Sequence, residues 1–197
     1  MKLHRLNPLL LSAVAVASVV SWKVAVGTAQ TLGQPEHFTA SYVDMNTSRT
    51  GPVEMDVRRW STESERQELV QTLFKQGSDK LLDRLRDMHS VGRIYTPGSI
   101  GYDLRYASQR RLPDGGREII LATDRPMSFW EISNSPRSVQ YPFTWVQFRM
   151  KPDGSGEGKL AVAARIMGEE ADRLIEVEDF ATYPIRLQNI RSKVDNN

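Results

Sequence analysis

Between His37 and Met45 the chain reads HFTASYVDM, with Phe38, Ala40 and Tyr42 alternating against Thr39, Ser41 and Val43. Alternation with a period of two marks a half-buried strand. The polar cluster NTSRTGP interrupts it. VEMDVRRW then resumes it, with Val53, Met55 and Val57 on one side and Glu54, Asp56 and Arg58 on the other. Two such strands around a polar turn predict a hairpin.

The period changes in STESERQELVQTLFKQG, where Leu69, Val70, Leu73 and Phe74 recur at helical spacing. Thr62, followed three residues on by Glu65, is a capping box: each side chain satisfies a backbone N–H left unpaired at the helix start. Gly77 can end this helix in a left-handed conformation. SDKLLDRLRDMH predicts a second helix, with Ser78 as its cap and Leu81, Leu82, Leu85 and Met88 as its buried face. The helical hairpin from about Thr62 to Met88 is expected to cover an end or face of a sheet, because both apolar stripes must be buried. A lid or partner-binding arm is the functional alternative.

From Val91 the chain is rich in strand patterns. VGRIY stops at TPGS, and GYDLRYAS alternates Tyr102, Leu104 and Tyr106 with Asp103 and Arg105. LPDGG is a turn, since Pro113 fixes φ and glycine supplies positive φ. REIILATD is apolar on both faces and predicts a central strand. MSFWEI and YPFTWVQFRM flank the loop SNSPRSVQ, and KLAVAARIM, RLIEVEDF and YPIRLQNI complete the series. About nine strands with regular turns predict an α+β fold. It is mainly an antiparallel β barrel or sandwich, with the helical hairpin inserted after the second strand.

The first 29 residues stand apart. Lys2 and Arg5 precede an apolar run from Leu9 to Val20, and Gly27 and Ala29 place small residues before Gln30. This is the layout of a cleaved secretory signal. The run is shorter than the roughly 18–20 residues a spanning helix needs, which favours the signal over a membrane anchor. The expected organisation is a signal peptide at 1–29, a flexible lead at 30–36, a single β-rich domain at 37–191 and a polar tail at 192–197.

Charge follows from that division. Of 26 basic and 24 acidic residues, three bases (Lys2, Arg5 and Lys23) and no acid lie in 1–29, so the remainder carries a net charge of −1. A near-neutral chain lacks the basic excess of a nucleic-acid or anionic-membrane binder. Membrane contact is expected only through an uncleaved signal. The absence of cysteine excludes disulfides, thiolate metal sites, a cysteine nucleophile and an acylated-cysteine anchor.

Candidate chemistry is sparse. PDGSGEGKL invites a phosphate-loop or EF-hand reading, but the first needs glycine where Asp153 stands and the second a bidentate Glu where Ala164 stands. Asp-Gly between alternating runs predicts a hairpin turn instead. His37 and His89 are the only histidines past the signal, too few for a three-histidine zinc site. No HExxH pair or Gly-x-Ser-x-Gly elbow occurs. No metal or cofactor is expected.

Asp103, Asp124 and Glu131 remain as catalytic candidates, near Arg105, Arg125 and Trp130. Two carboxyls about 5–9 Å apart can do glycosidic acid–base work, and desolvation against an aromatic ring raises a carboxyl pKa. Arginine neighbours oppose that shift, and bidentate arginine–carboxylate pairs brace corners in β proteins. A braced corner is the expected reading of ATDRPMSFWE. Trp60, Tyr102, Arg105, Arg125, Trp130 and Arg137 are candidate ligand-binding residues. A barrel of about eight or more strands can hold a small ligand against its aromatics, and Arg137 lies in a loop between strands, where binding residues gather.

The runs RWSTESER, GYDLRYA, LATDRPMSFWE, PRSVQYPFT and GEGKL resemble a family of exported, signal-peptide-bearing bacterial proteins of no known activity. The resemblance spans roughly Phe38 to Ile190. It implies export and a single domain, and no ligand or catalytic residue. These readings together predict a periplasmic or extracellular, non-enzymatic binding or interaction module, with a small apolar ligand or an envelope protein as its partner. A carboxylate-dependent hydrolase of the cell envelope is the alternative, and it requires its acids to converge in one open cleft. A third reading, an envelope structural protein, requires an uncovered strand edge.

Overall fold

The computed structural model describes residues 21–25, 33–127, 140–169 and 174–194. In chain order the elements are β1 (Ser21–Ala25), β2 (Glu36–Asp44), β3 (Arg49–Val57), α1 (Glu63–Gln76), α2 (Ser78–Asp87), β4 (Gly92–Tyr95), β5 (Tyr102–Leu104) and β6 (Tyr106–Arg111). They continue with β7 (Arg117–Ala122), β8 (Phe143–Met150), β9 (Ser155–Glu169), β10 (Leu174–Asp179) and β11 (Ile185–Val194).

Nine strands form one antiparallel wall in the order β5-β4-β3-β2-β11-β9-β8-β7-β6. Its two end strands, β5 and β6, are consecutive in the chain with only Arg105 between them. Val91 N–H donates to Leu104 O at 2.8 Å, and Arg105 N–H donates to Ala122 O at 2.9 Å. One bent segment therefore pairs with β4 by its first half and with β7 by its second. The wall is a nearly closed barrel. The single strand expected at GYDLRYAS is broken at Arg105, because closure demands a change of strand direction at that point.

The period-two residues fill the barrel. Phe38, Met55, Ile94, Leu104, Ile119, Leu121, Phe148 and Leu187 belong to one cluster of buried side chains. Phe38 and Phe148 meet edge to face with centroids 5.0 Å apart, a favourable aromatic geometry. Two glycines on β9 make room for this filling. A methyl group at Gly158 would overlap Phe148, and one at Gly156 would press on Met150 and Ile190.

The helical hairpin covers the outside of the wall. Glu65 N–H donates to Thr62 Oγ1 at 3.1 Å and Thr62 N–H to Glu65 Oε2 at 2.7 Å, completing the capping box. Gly77 takes φ 87° and serves both as the last cap of α1 and the first of α2. Ser78 is thus the first residue of α2 rather than its cap, since a single residue separates the helices. Leu69, Leu73, Leu81, Leu85 and Met88 cluster with Phe143 and Trp145 of β8, Ala161 and Ile166 of β9 and Val177 of β10. The hairpin therefore lies on a face of the barrel, not over an end.

The long strand β9 bears β11 along its first half (Leu160 opposite Ile185) and β10 along its second (Ala164 opposite Asp179). β1 pairs antiparallel with the other edge of β10, from Ser21 opposite Glu178 to Ala25 opposite Leu174. It falls inside the segment expected to be a signal, so cleavage before Gln30 would remove it and bare that edge. Glu36, assigned by pattern to the lead, is buried and opens β2. β11 runs on to Val194, into the stretch assigned to the tail. The strand expected at MSFWEI lies, past Met127, outside the described residues. No described helix is long and apolar enough to cross a membrane.

Candidate functional site

Three of the sequence candidates meet where the barrel closes. Arg105, at the break between β5 and β6, donates from Nε to Asp124 Oδ2 at 3.3 Å and from Nη1 to Met88 O at 2.9 Å. Its Nη2 stands 4.0 Å from Asp103 Oδ2. One planar guanidinium thus ties both barrel edges to the carbonyl at the end of α2, a geometry that suits arginine's fork of donors. Asp103 also lies 3.3 Å from Ser90 Oγ. Arg125 takes no part in this clamp. It is exposed, with its guanidinium carbon 5.3 Å above the Tyr102 ring, a cation–π arrangement.

Trp60 belongs to a different set of residues. Its indole is buried in the barrel cluster, beneath Gly33, and Nε1 donates to Gln34 O at 3.0 Å. Trp130, Glu131 and Arg137 lie outside the described residues. The structure therefore brings Asp103, Arg105 and Asp124 together, sets Tyr102 and Arg125 beside each other and places Trp60 in the core.

Polar groups also close the barrel mouth. Arg117 of β7 holds Glu36 of β2 in a bidentate pair and donates to Gln109 Oε1 at 2.9 Å, while Ser192 Oγ donates to Glu36. The bond to Glu36 raises the Arg117 pKa above its ordinary value, against the effect of burial. Nearby, the turns at 113–115 and 152–154 border an open groove of about 570 Å³. None of the candidate acids lines it.

Two further acids escaped sequence reasoning. Asp44 ends β2 and Asp179 ends β10, and they are only 3% and 5% exposed. Burial pulls the Asp44 pKa upward, but Thr47 Oγ1, at 2.6 Å, and the two nitrogens of Asn46, each at 2.9 Å, outweigh it. The net shift is downward. Asp179 has a single described donor: Oδ1 accepts from Ala181 N–H at 3.0 Å, while buried Oδ2 has no hydrogen-bond partner among the described residues. Burial pushes its pKa up to about 7 against that N–H, and the charge of Asp44 adds to the rise.

Nothing in the local sequence marks these two acids. The fold joins them by docking two loops, where Asn46 Nδ2 donates to Tyr183 O at 2.8 Å and Tyr183 N–H to Asn46 Oδ1 at 3.0 Å. Neighbouring acids with pKa values driven apart are the pattern of an acid–base pair. Their burial keeps a substrate from reaching either one. Among the described residues, no group of three or more histidines or acids is placed to hold a metal ion.

The described residues define a nearly closed antiparallel barrel with a buried apolar core and a helical cover. Compared with family models, with curated proteins and with solved structures, the chain shows no significant match.

Proposed function

We propose that this chain is an exported, non-enzymatic interaction module whose partner is an envelope protein rather than a small apolar ligand. The observation that carries this reading is the close packing of the described core residues. Ligand sites are concave and need unfilled volume, whereas Phe38 and Phe148 meet in the barrel core among buried Met55, Ile94 and Leu187. Binding is then left to the outside. Met45, Ile100 and Tyr183 are exposed large apolar side chains, all on turns or loops. Residues so placed on a rigid scaffold are available to a partner.

The hydrolase reading has less support, because Asp103 and Asp124 are both drawn to Arg105. Export rests on the basic start and apolar run of residues 1–29. Position-specific photo-crosslinking in cells tests the reading, with the crosslinker placed at Met45, Ile100 or Tyr183 and, for comparison, at Lys80 on the exposed side of α2. The expected result is a discrete envelope-protein adduct from a loop position and none from Lys80. A protein retained in the cytoplasm, or one carrying a stoichiometric small molecule in native mass spectrometry, would overturn the reading.

A further inference from the structure

A carboxyl buried without a partner is stable only when neutral, since burial of an isolated charge is strongly unfavourable. Asp179 meets that condition on one side: Oδ2 is closed off from solvent and from every described donor. The neighbouring carboxylate, Asp44, is held in its charged form by three donors from Asn46 and Thr47. Each acid stands at the root of a loop, and Asn46 and Tyr183 bond those two loops to each other. A charge appearing on Asp179 would repel Asp44 where the loops are joined.

We propose that Asp179 and Asp44 form a proton-operated latch between the β2–β3 turn and the β10–β11 loop, closed when Asp179 carries a proton and released when it loses it. The other charged groups that register places beside the two acids are Arg165, Glu178 and Arg49. On β9, Arg165 stands opposite Glu178, and Glu178 accepts from the hydroxyl of Tyr141. On β3, Arg49 stands opposite Asp44 at the turn. Among the described residues, Asp44 is the one charged group that adds to the Asp179 shift. Release would free Tyr183, already 54% exposed, together with neighbouring Met45. The latch stands whatever that surface binds.

The test is amide hydrogen exchange on the full chain between pH 4.5 and 8.5, with rates corrected for intrinsic exchange. A released loop restores Asp179 to the ordinary carboxylate range, so opening gains with pH between that range and neutrality. Protection of the Tyr183 amide is expected to fall roughly tenfold per pH unit from about 5 to about 7 and then level off. The Phe148 amide, in the barrel wall, should not follow. Asp179→Asn should make Tyr183 protection independent of pH, and Asp44→Asn should end the fall at a lower pH. A flat wild-type profile, the same fall in Asp179→Asn, or recovery at pH 8 on adding calcium would each overturn the latch. Should Asp179→Asn fail to fold, the wild-type side-chain titration by carbon NMR decides, and an ordinary carboxylate midpoint would sink the proposal.

Discussion

Glu36 and Arg117 face each other across the barrel mouth, joined by hydrogen bonds of 2.7 and 2.9 Å although three strands separate β2 from β7 in the wall. The pair is unequal: the Glu36 side chain is 3% exposed and that of Arg117 32%. Removing the arginine strands a buried carboxylate, whereas removing the acid leaves a guanidinium that can reach water. Arg117→Gln is therefore expected to destabilise by about 3–5 kcal/mol and Glu36→Gln by about 1–2 kcal/mol. Urea denaturation at neutral pH measures both, and the reverse order would contradict the geometry.

At the seam, Arg105→Lys keeps the charge but loses the fork that reaches Asp124 and Met88 O together. The expected loss is about 1–2 kcal/mol. Asp103→Asn should change stability by less than about 0.5 kcal/mol, because Asp103 is over a third exposed and 4.0 Å from the guanidinium. Faster hydrogen exchange at the Arg105 amide, which bonds to Ala122 O, would locate the fraying.

The filled core makes its own demand. Phe148→Ala should cost about 3–5 kcal/mol and leave an apolar hole that takes up xenon or benzene. Gly158→Ala should cost about 1–3 kcal/mol, since its methyl would overlap Phe148. The double variant should still carry the full Gly158→Ala loss, because the overlap is with Phe148 Cβ and Cα and with Gln147 O, which truncating the ring leaves in place. A double variant that recovers the Gly158→Ala loss in its denaturation midpoint would show that the ring, and not the neighbouring backbone, sets the contact at Gly158.

Asp179 also links global stability to pH. Its folded pKa, about 7, lies above the ordinary aspartate value near 3.8, so the folded state binds more protons than the unfolded state between these values. Its contribution is therefore most favourable below pH 4 and is lost as pH rises towards 7. Roughly 2–4 kcal/mol should disappear across that window. Asp179→Asn should flatten that part of the stability–pH curve, as read from denaturation at a series of pH values.

Periodicity made much of the architecture legible. Phe38, Val53, Met55 and Val57 alternate in sequence and all point into the barrel. Thr62 and Glu65 announced their helix start and cap it as expected. Arg105 was legible as an acid's neighbour but not as the point of closure, because alternation continues through it while the strand direction changes. Glu36 read as part of a polar lead, since its partner Arg117 lies 81 positions along the chain. Asp44 and Asp179 carried no signal at all.

Side-chain alternation and helical spacing are local properties, so the residue order alone determined which segments become strands, where the helical hairpin falls and which faces turn inward. Only the tertiary structure decided that the wall closes at Arg105, that Phe38 meets Phe148 inside it and that two acids 135 positions apart share a buried corner. Closure and burial depend on register and distance between segments remote in the chain, and no short window of sequence contains those quantities.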